Sequence, residues 1–368
     1  MKSSFCNQFC RIDNFKLDIN ILTFDIFGIY ADDLLPLEFN TEYLSSITYQ
    51  DLIKDEALIR IKKPKLLFYY GIQSSYKYDF NESTVILTNP LFNNTMKTVI
   101  YIHGFLDGAF AESVKTVTRA YIERGDHNII VVDWHADAIP GYFINAIFNM
   151  RKVGFSASTS ILNMLNNGLN IDTLHLVGHS LGAQMAGIIG REIQRKTKGE
   201  KLIRRITALD PAYPGFYDVS LVDHVTKRDA EFVDVIHTDA GTFGAPYHTG
   251  TVDFWPNGGK TMQPGCDSLI FLVVDLCSHS RSWRYWAESV AGKFDKKFNA
   301  VRAKSWNDFK KGITEEFDPN VVIGIEMSFG LSGNYYLQTN FQSPFARGEA
   351  GIMYEKRLDM LSERVAPQ

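Results

Sequence analysis

The sequence predicts an α/β protein built on a central, mostly parallel sheet with helices on both faces. Three observations carry that prediction. The stretch 173–187, TLHLVGHSLGAQMAG, passes from an apolar strand through a tight glycine-flanked turn directly into a helix of small residues. Short apolar strands alternate with helical periodicity on both sides of it, the pattern of parallel strands joined by crossovers. Downstream of Ser180 come a strand-terminal acid, Asp210, and a late histidine, His279, in the order serine, acid, base.

A chain of 368 residues holds one large α/β domain with additions, or two ordinary domains. Hydrophobic residues make up 45% and aromatics 13%, so a sizeable core can form and disorder is not expected. The formal charge of −4 and the lack of a long basic run set nucleic-acid binding aside. The apolar stretches 19–30 and 268–274 are too short to span a bilayer, so no transmembrane helix is expected. The N-terminus MKSSFCNQFCRIDNFKLD has no continuous apolar segment and no small-residue cleavage site, and a secretory signal is not visible. In the other direction stand two N-glycosylation acceptor patterns, at Asn81 and Asn93, and the close pair Cys266 and Cys277.

Residues 1–60 carry no chemical motif and read as an N-terminal extension, with Cys6 and Cys10 as free thiols because no second cysteine or histidine cluster lies nearby. The globular domain spans 61–347, followed by a tail at 348–368. LLFYYGI (66–72) and TVILTN (84–89) read as strands. TVIYI (98–102) is a buried strand ending in His103-Gly104-Phe105. Loops at the carboxyl ends of parallel strands converge on a site, which places the Phe105 N–H to donate to an oxyanion while Gly104 permits close approach. His103 reads equally as a loop histidine satisfied by backbone and as a catalytic group. A helix (111–124), a strand (128–132) ending beside Asp133-Trp134, and one long helix (142–167) follow.

At the elbow, the sharp strand-to-helix turn pushes Ser180 out of the sheet, Gly178 and Gly182 avoid collisions, and the helix N-terminus faces the charge that develops on attack. A chance G-x-S-x-G is the competing reading, and the strand before and helix after argue against it. RITAL (205–209) is a strand ending at Asp210, positioned to orient a histidine; FVDVI (232–236) is the next, ending at His237-Thr238-Asp239. The segment 240–265 reads as a long glycine- and aromatic-rich loop framing the site. Between Cys266 and Cys277 lies DSLIFLVVDL, either a core strand or a cystine-bound apolar loop worth about 3 kcal/mol in loop-closure entropy. The second is preferred because His279 then completes the order serine, acid, base. His127, His135, His175, His224 and His248 lack both the late position and an evident partner, and His179 reads as a support of the elbow. Residues 282–290 read as a helix, 302–317 are unassigned, and 333–348 read as a final strand and turn.

With HGF (103–105), VVDW (131–134), GHSLGAQ (178–184), ALDPA (208–212), VIHTD (235–239), DFWPNGG (253–259) and CSHSRS (277–282), the chain resembles the pancreatic lipase family over about 61–347. The likeness is nearest to the insect neutral lipase and phospholipase A1 branch, including the ending YYLQTN…SPFARG. It implies an α/β-hydrolase fold and a lipid ester hydrolase with Ser180, Asp210 and His279 as triad and the Phe105 and Leu181 amides as oxyanion hole. By the same resemblance the protein is secreted and works on lipid at a membrane or aggregate surface; no cofactor is expected. Three departures shape the expectation. Too few residues follow the catalytic domain for the family's C-terminal β-sandwich, so no colipase-type helper is expected. The ten residues between the cysteines are about half the vertebrate lid, which favours phospholipids or broad acylglycerols over triglycerides, with a triacylglycerol lipase as the alternative. Of the positions matching the family's calcium ligands, Leu221, His224, Thr226 and Asp229, only the last is acidic, so no metal is expected. A reading of a different class is a silent, yolk-protein-like lipid-binding or storage protein, against which the intact Ser180, Asp210 and His279 speak.

Overall fold

The computed structural model describes residues 63–135, 143–218, 221–266 and 271–358, excepting the side chains of 143–145 and 271–275. The extension 1–60 with Cys6 and Cys10, and the apolar side chains at 269–274, lie outside them. The strands are β1 (Lys65–Gly71), β2 (Ser74–Asp79), β3 (Lys97–Ile102), β4 (His127–Asp133), β5 (Leu174–His179), β6 (Arg205–Leu209), β7 (Phe232–Ile236), β8 (Val252–Pro256), β9 (Phe298–Asn299), β10 (Val301–Arg302), β11 (Val322–Ile323) and β12 (Gly333–Leu337). The helices are α1 (Glu112–Arg124), α2 (Phe143–Asn166), α3 (Leu181–Lys196), α4 (Phe271–Ala291) and α5 (Trp306–Lys310).

Ten strands form one sheet in the order β10-β12-β8-β7-β6-β5-β3-β4-β1-β2. From β4 through β12 every pairing is parallel, while β1 and β2 at one edge and β10 at the other are antiparallel. The central strands β5, β6 and β7 are buried at every residue, which is why they read as unbroken apolar runs. Helices α2 and α3 cover one face, packing on Leu66, Ile100 and Leu176; α1 and α4 cover the other, on Val99, Tyr101 and Val177. In α2 the buried Ile147, Met150, Val153, Ala157 and Ile161 recur at three- and four-residue spacing, the stripe a single-faced helix needs. This is the α/β-hydrolase arrangement, and no β-sandwich is among the described residues.

Three elements differ from the sequence reading. Residues 84–89 are not a strand: 84–88 close a 3-10 helix, Phe80–Thr88, and Asn89 is its C-cap. Only Ser83 and Ile86 are buried there, a period of three rather than two, and Asp79 and Glu82 cap its start reciprocally. The edge strand is instead β2, whose polar SSYKYD gave little apolar signal. Within 240–265, read as loop, VDFWP is the strand β8 between β7 and β12; its buried Asp253 and terminal Pro256 hid it. The cystine-enclosed segment is neither core strand nor simple loop: α4 begins at Phe271, eleven residues before the expected 282, and carries both Cys277 and His279. A short apolar run does not distinguish a buried helix from a strand.

Candidate active site

Ser180 stands at the junction of β5 and α3 with φ 56° and ψ −121°, a conformation disfavoured for any side chain. A Cβ on Gly178 would lie 2.2 Å from the Gly182 carbonyl oxygen, and one on Gly182 would lie 2.1 Å from the Ile102 oxygen, so the turn closes only with glycine at both. The Ser180 N–H donates to Leu209 O at 3.0 Å, and its carbonyl accepts from Ala212 N at 3.2 Å, tying the elbow to the end of β6. Among the described residues seven non-glycines have positive φ, and Leu106, Ser180 and Asp210 are three of them. Strain of this kind, of order 1–3 kcal/mol each, persists only where surrounding contacts enforce it.

At the end of β6, Asp210 is fully buried. Its Oδ1 accepts the backbone N–H groups of Thr238 at 2.7 Å and Asp239 at 3.1 Å, both just beyond β7. Its Oδ2 meets His279 Nδ1 at 2.6 Å. Burial disfavours the His279 imidazolium, but the hydrogen bond and charge of Asp210 outweigh it and raise the pKa above the ordinary histidine value. This leaves Nε2 of His279 as the free ring nitrogen. His179 lies beside it, ring centroids 4.6 Å apart, with Nε2 3.3 Å from the His279 carbonyl oxygen. Burial and then the neighbouring His279 charge push the His179 pKa well down, so it is neutral and donates that hydrogen bond through Nε2.

Across the elbow, the 103–107 loop approaches closely: a Cβ on Gly104 would lie 3.0 Å from Ser180 Cβ. His103 braces this loop. Its Nε2 accepts from Trp134 N at 3.2 Å, which assigns the proton to Nδ1, and Nδ1 donates to Gly104 O at 3.0 Å. Trp134 Nε1 donates to His103 O at 2.9 Å, and the two rings stack at 5.5 Å. The structural role of His103, one of its two sequence readings, thus has a full set of partners. Leu181 opens α3, so its amide has no intrahelical acceptor.

Sequence reasoning passed over three supports. Gln184 spans from Ala212 O (2.6 Å) to Val225 N (2.7 Å), holding the segment after Asp210. Trp134 clamps His103. Asp239 is a second buried carboxylate, with Oδ1 lacking a partner and its pKa raised by burial and then by the Asp210 charge. The motifs GHSLGAQ, VVDW and VIHTD contained all three. The expectation that the other histidines lack partners is corrected: His248 Nδ1 pairs with Asp253 at 2.8 Å and His127 Nδ1 with Asp126 at 2.5 Å.

Cys266 and Cys277 are joined, with Cα atoms 5.6 Å apart. Arg281 Nη2 to Pro264 O (2.9 Å) and Gln263 N to Ser278 Oγ (3.2 Å) strap the same segment to α4, so His279 is held on its own helix from both ends. Donor atoms of Asp210, Asp239 and His279 lie within 4.8 Å of one another, a spacing compatible with a cation. Asp210 spends both oxygens on protein hydrogen bonds, to Thr238 N and Asp239 N through Oδ1 and to His279 through Oδ2. A calcium ion does not fit at 221–229. Arg191 donates to both oxygens of Asp229 (3.1 and 2.9 Å) and to His224 O (2.8 Å), so a guanidinium takes the ligands a cation would need.

A family model described as Lipase matches residues 53–345. The chain is 35% identical over 269 residues to lipase member H-A of Xenopus laevis, covering 72% of this chain and 56% of that protein. It is 34% identical to pancreatic triacylglycerol lipase of Sus scrofa, covering 61% and 52% of the two chains, and 32% identical to vitellogenin-3 of Drosophila melanogaster, covering 60% and 50%. The chain thus spans about half the length of the curated relatives it matches.

Proposed function

The chain belongs to the lipase family, and on that premise we propose that it hydrolyses carboxylic esters of lipids with Ser180 as nucleophile, His279 as general base and acid, and Asp210 as the group that orients His279. The observation that carries the reading is the 2.6 Å contact of His279 Nδ1 with the buried Asp210, which fixes the tautomer and leaves Nε2 to accept the Ser180 proton. Ser180 Oγ attacks the ester carbonyl as Nε2 takes its proton. The Phe105 and Leu181 amides hold the resulting oxyanion, and His279 returns the proton to the departing alkoxide. Water, deprotonated by the same nitrogen, then releases the fatty acid from the acyl-enzyme.

The substrate class is phospholipid cleaved at one glycerol position, or polar acylglycerols more broadly. Ten residues between the cysteines offer less apolar cover than a three-chain substrate uses, and the 240–249 loop opposite is short. The disulfide supports action outside the cell. The similarity to vitellogenin-3 favours a second reading, a lipid-binding or storage protein without turnover. Fatty-acid release from defined phospholipid, galactolipid and triglyceride decides between them. Ser180→Ala lowers that release by several orders of magnitude with the fold retained, and a serine-directed phosphonate labels the unaltered protein at Ser180. An unaltered protein as inert as the variant and unlabelled leaves the storage reading; tenfold preference for triglyceride, about 1.4 kcal/mol, makes it a triacylglycerol lipase.

A further inference from the structure

One surface arrangement near the site is left unused by the ester chemistry. Tyr213, Tyr217 and Tyr247 bring their rings together, with centroids 6.1, 6.3 and 5.7 Å apart. The hydroxyls of Tyr213 and Tyr247 both donate to Asp218, the latter at 2.7 Å. Asp218 is exposed, and those two hydrogen bonds hold its carboxyl below the usual range, so it stays ionised. No lysine, arginine or histidine among the described residues pairs with it. The cluster is fixed from behind: His224 stacks on Tyr217 at 4.3 Å, and Tyr217 Oη lies 3.2 Å from Thr249 Oγ1. It is therefore organised before any ligand arrives.

Its position relates it to the ester-cleaving groups. Tyr213 is three residues past Asp210, so its Cα lies within about 11 Å of the Asp210 Cα by chain reach alone. Tyr213 N donates to Phe243 O at 2.8 Å, and the Phe243 ring is 5.8 Å from that of His279. The segments bearing the tyrosines follow β6 and β7, parallel neighbours whose carboxyl ends open on the same side of the sheet as Ser180.

We propose that Tyr213, Tyr217, Tyr247 and Asp218 form a subsite for the onium head group of a zwitterionic phospholipid whose ester lies at Ser180, an assignment that rests on the lipid ester hydrolase reading. Aromatic faces attract alkylated ammonium, and hydroxyls donating to a carboxylate make the rings richer in electrons. The uncompensated charge of Asp218 adds to that attraction and repels anionic head groups. A neutral glyceride gains nothing from either.

The test separates head-group binding from turnover by using the Ser180→Ala protein. Titration calorimetry measures its binding of dihexanoyl-phosphatidylcholine, -phosphatidylethanolamine and -phosphatidylglycerol, each kept monomeric. Phosphatidylcholine binds about tenfold more tightly than phosphatidylglycerol, and adding Asp218→Asn or Tyr247→Leu brings the ratio to within about twofold. Phosphatidylethanolamine binding like phosphatidylcholine assigns recognition to the carboxylate; binding like phosphatidylglycerol assigns it to the rings. Equal binding of choline and glycerol head groups, or a preference that both variants leave intact, overturns the subsite. Asp218→Asn is isosteric at an exposed position, so the test survives should Tyr247→Leu fail to fold. Hydrolysis of p-nitrophenyl butyrate by the unaltered protein reports the catalytic reading separately. An active enzyme without head-group preference loses only the subsite, and an inert protein that retains the preference loses only the activity.

Discussion

Asp210→Asn isolates the proposed role of the acid because the geometry dictates which way the amide must point. Oδ1 of Asp210 accepts two backbone N–H groups, from Thr238 at 2.7 Å and Asp239 at 3.1 Å, so the asparagine carbonyl must take that side. Its NH2 then faces His279 Nδ1 across the 2.6 Å contact. Two donors cannot share that line, and the imidazole moves its proton to Nε2, where it blocks acceptance from Ser180. The variant also loses the charge that stabilises the imidazolium during attack. Wrong tautomer and lost charge together cost about ten-thousandfold in kcat in triads of this kind, which corresponds to about 5.4 kcal/mol. The side chain is isosteric and both amides keep an acceptor, so circular dichroism and Tm change little. The assay is kcat/KM on monomeric p-nitrophenyl butyrate, from pH 6 to 9. A variant retaining more than about a tenth of the unaltered rate would refute the reasoning, because some other group, Asp239 foremost, would then be orienting His279.

Asp239, pushed up to about 7 by burial and then by Asp210, holds a proton in the folded protein where the unfolded chain has released it. Its stabilising contribution is thus present below the ordinary carboxylate pKa and lost as pH rises towards 7; relative to Asp239→Asn, the unaltered protein loses on the order of 2 kcal/mol between pH 5 and 8. Urea unfolding at both pH values checks this, and an equal difference at the two refutes it. Arg191→Met leaves the buried Asp229 without its cation and lowers stability by about 2 kcal/mol, discounted because Arg191 is partly exposed, while a chelator leaves the Tm of the unaltered protein unchanged. A chelator-induced fall in Tm would show that a metal, and not Arg191, holds that segment. Cys266→Ser with Cys277→Ser removes about 3 kcal/mol of loop-closure stabilisation, read by thermal unfolding. Peptide mapping of unreduced protein from its natural location finds the two joined, and free thiols there would remove the extracellular assignment as well.

The parallel centre of the sheet was legible because strands buried on both faces have only apolar residues to offer, as in LHLVGH and RITAL. Legibility fell where one residue answered to two environments. Val85 and Leu87 look like strand residues, yet Val85 is exposed and Ile86 alone of that run is buried. At the site, Ser180 and Asp210 are local features, each a strand end followed by a turn that only certain residues permit. His279 was found by chain order, and having a carboxylate partner would not have found it, since His127, His237 and His248 have one too. Contacts such as Trp134 with His103, or His179 with the His279 carbonyl, join residues 31 and 100 positions apart, and no periodicity encodes them.

Asp253 shows what this distance-blind reading leaves out. A carboxylate in mid-strand argues against a strand, and β8 lies within the segment whose glycine and aromatic content reads as loop. Fully buried, Asp253 accepts from His237 at 2.7 Å, Thr249 N at 2.9 Å and Gly250 N at 2.9 Å, and meets His248 at 2.8 Å. Burial favours its neutral form, but these partners hold its pKa below the ordinary carboxylate value. The anion therefore ties both ends of the 237–250 segment to the sheet. That segment carries Asp239 and Phe243 to His279 and Tyr247 to the tyrosine cluster, so the residue that breaks the strand pattern is the one that ties this loop down. The irregularity in the strand pattern is thus the mark of a buried, fully partnered carboxylate.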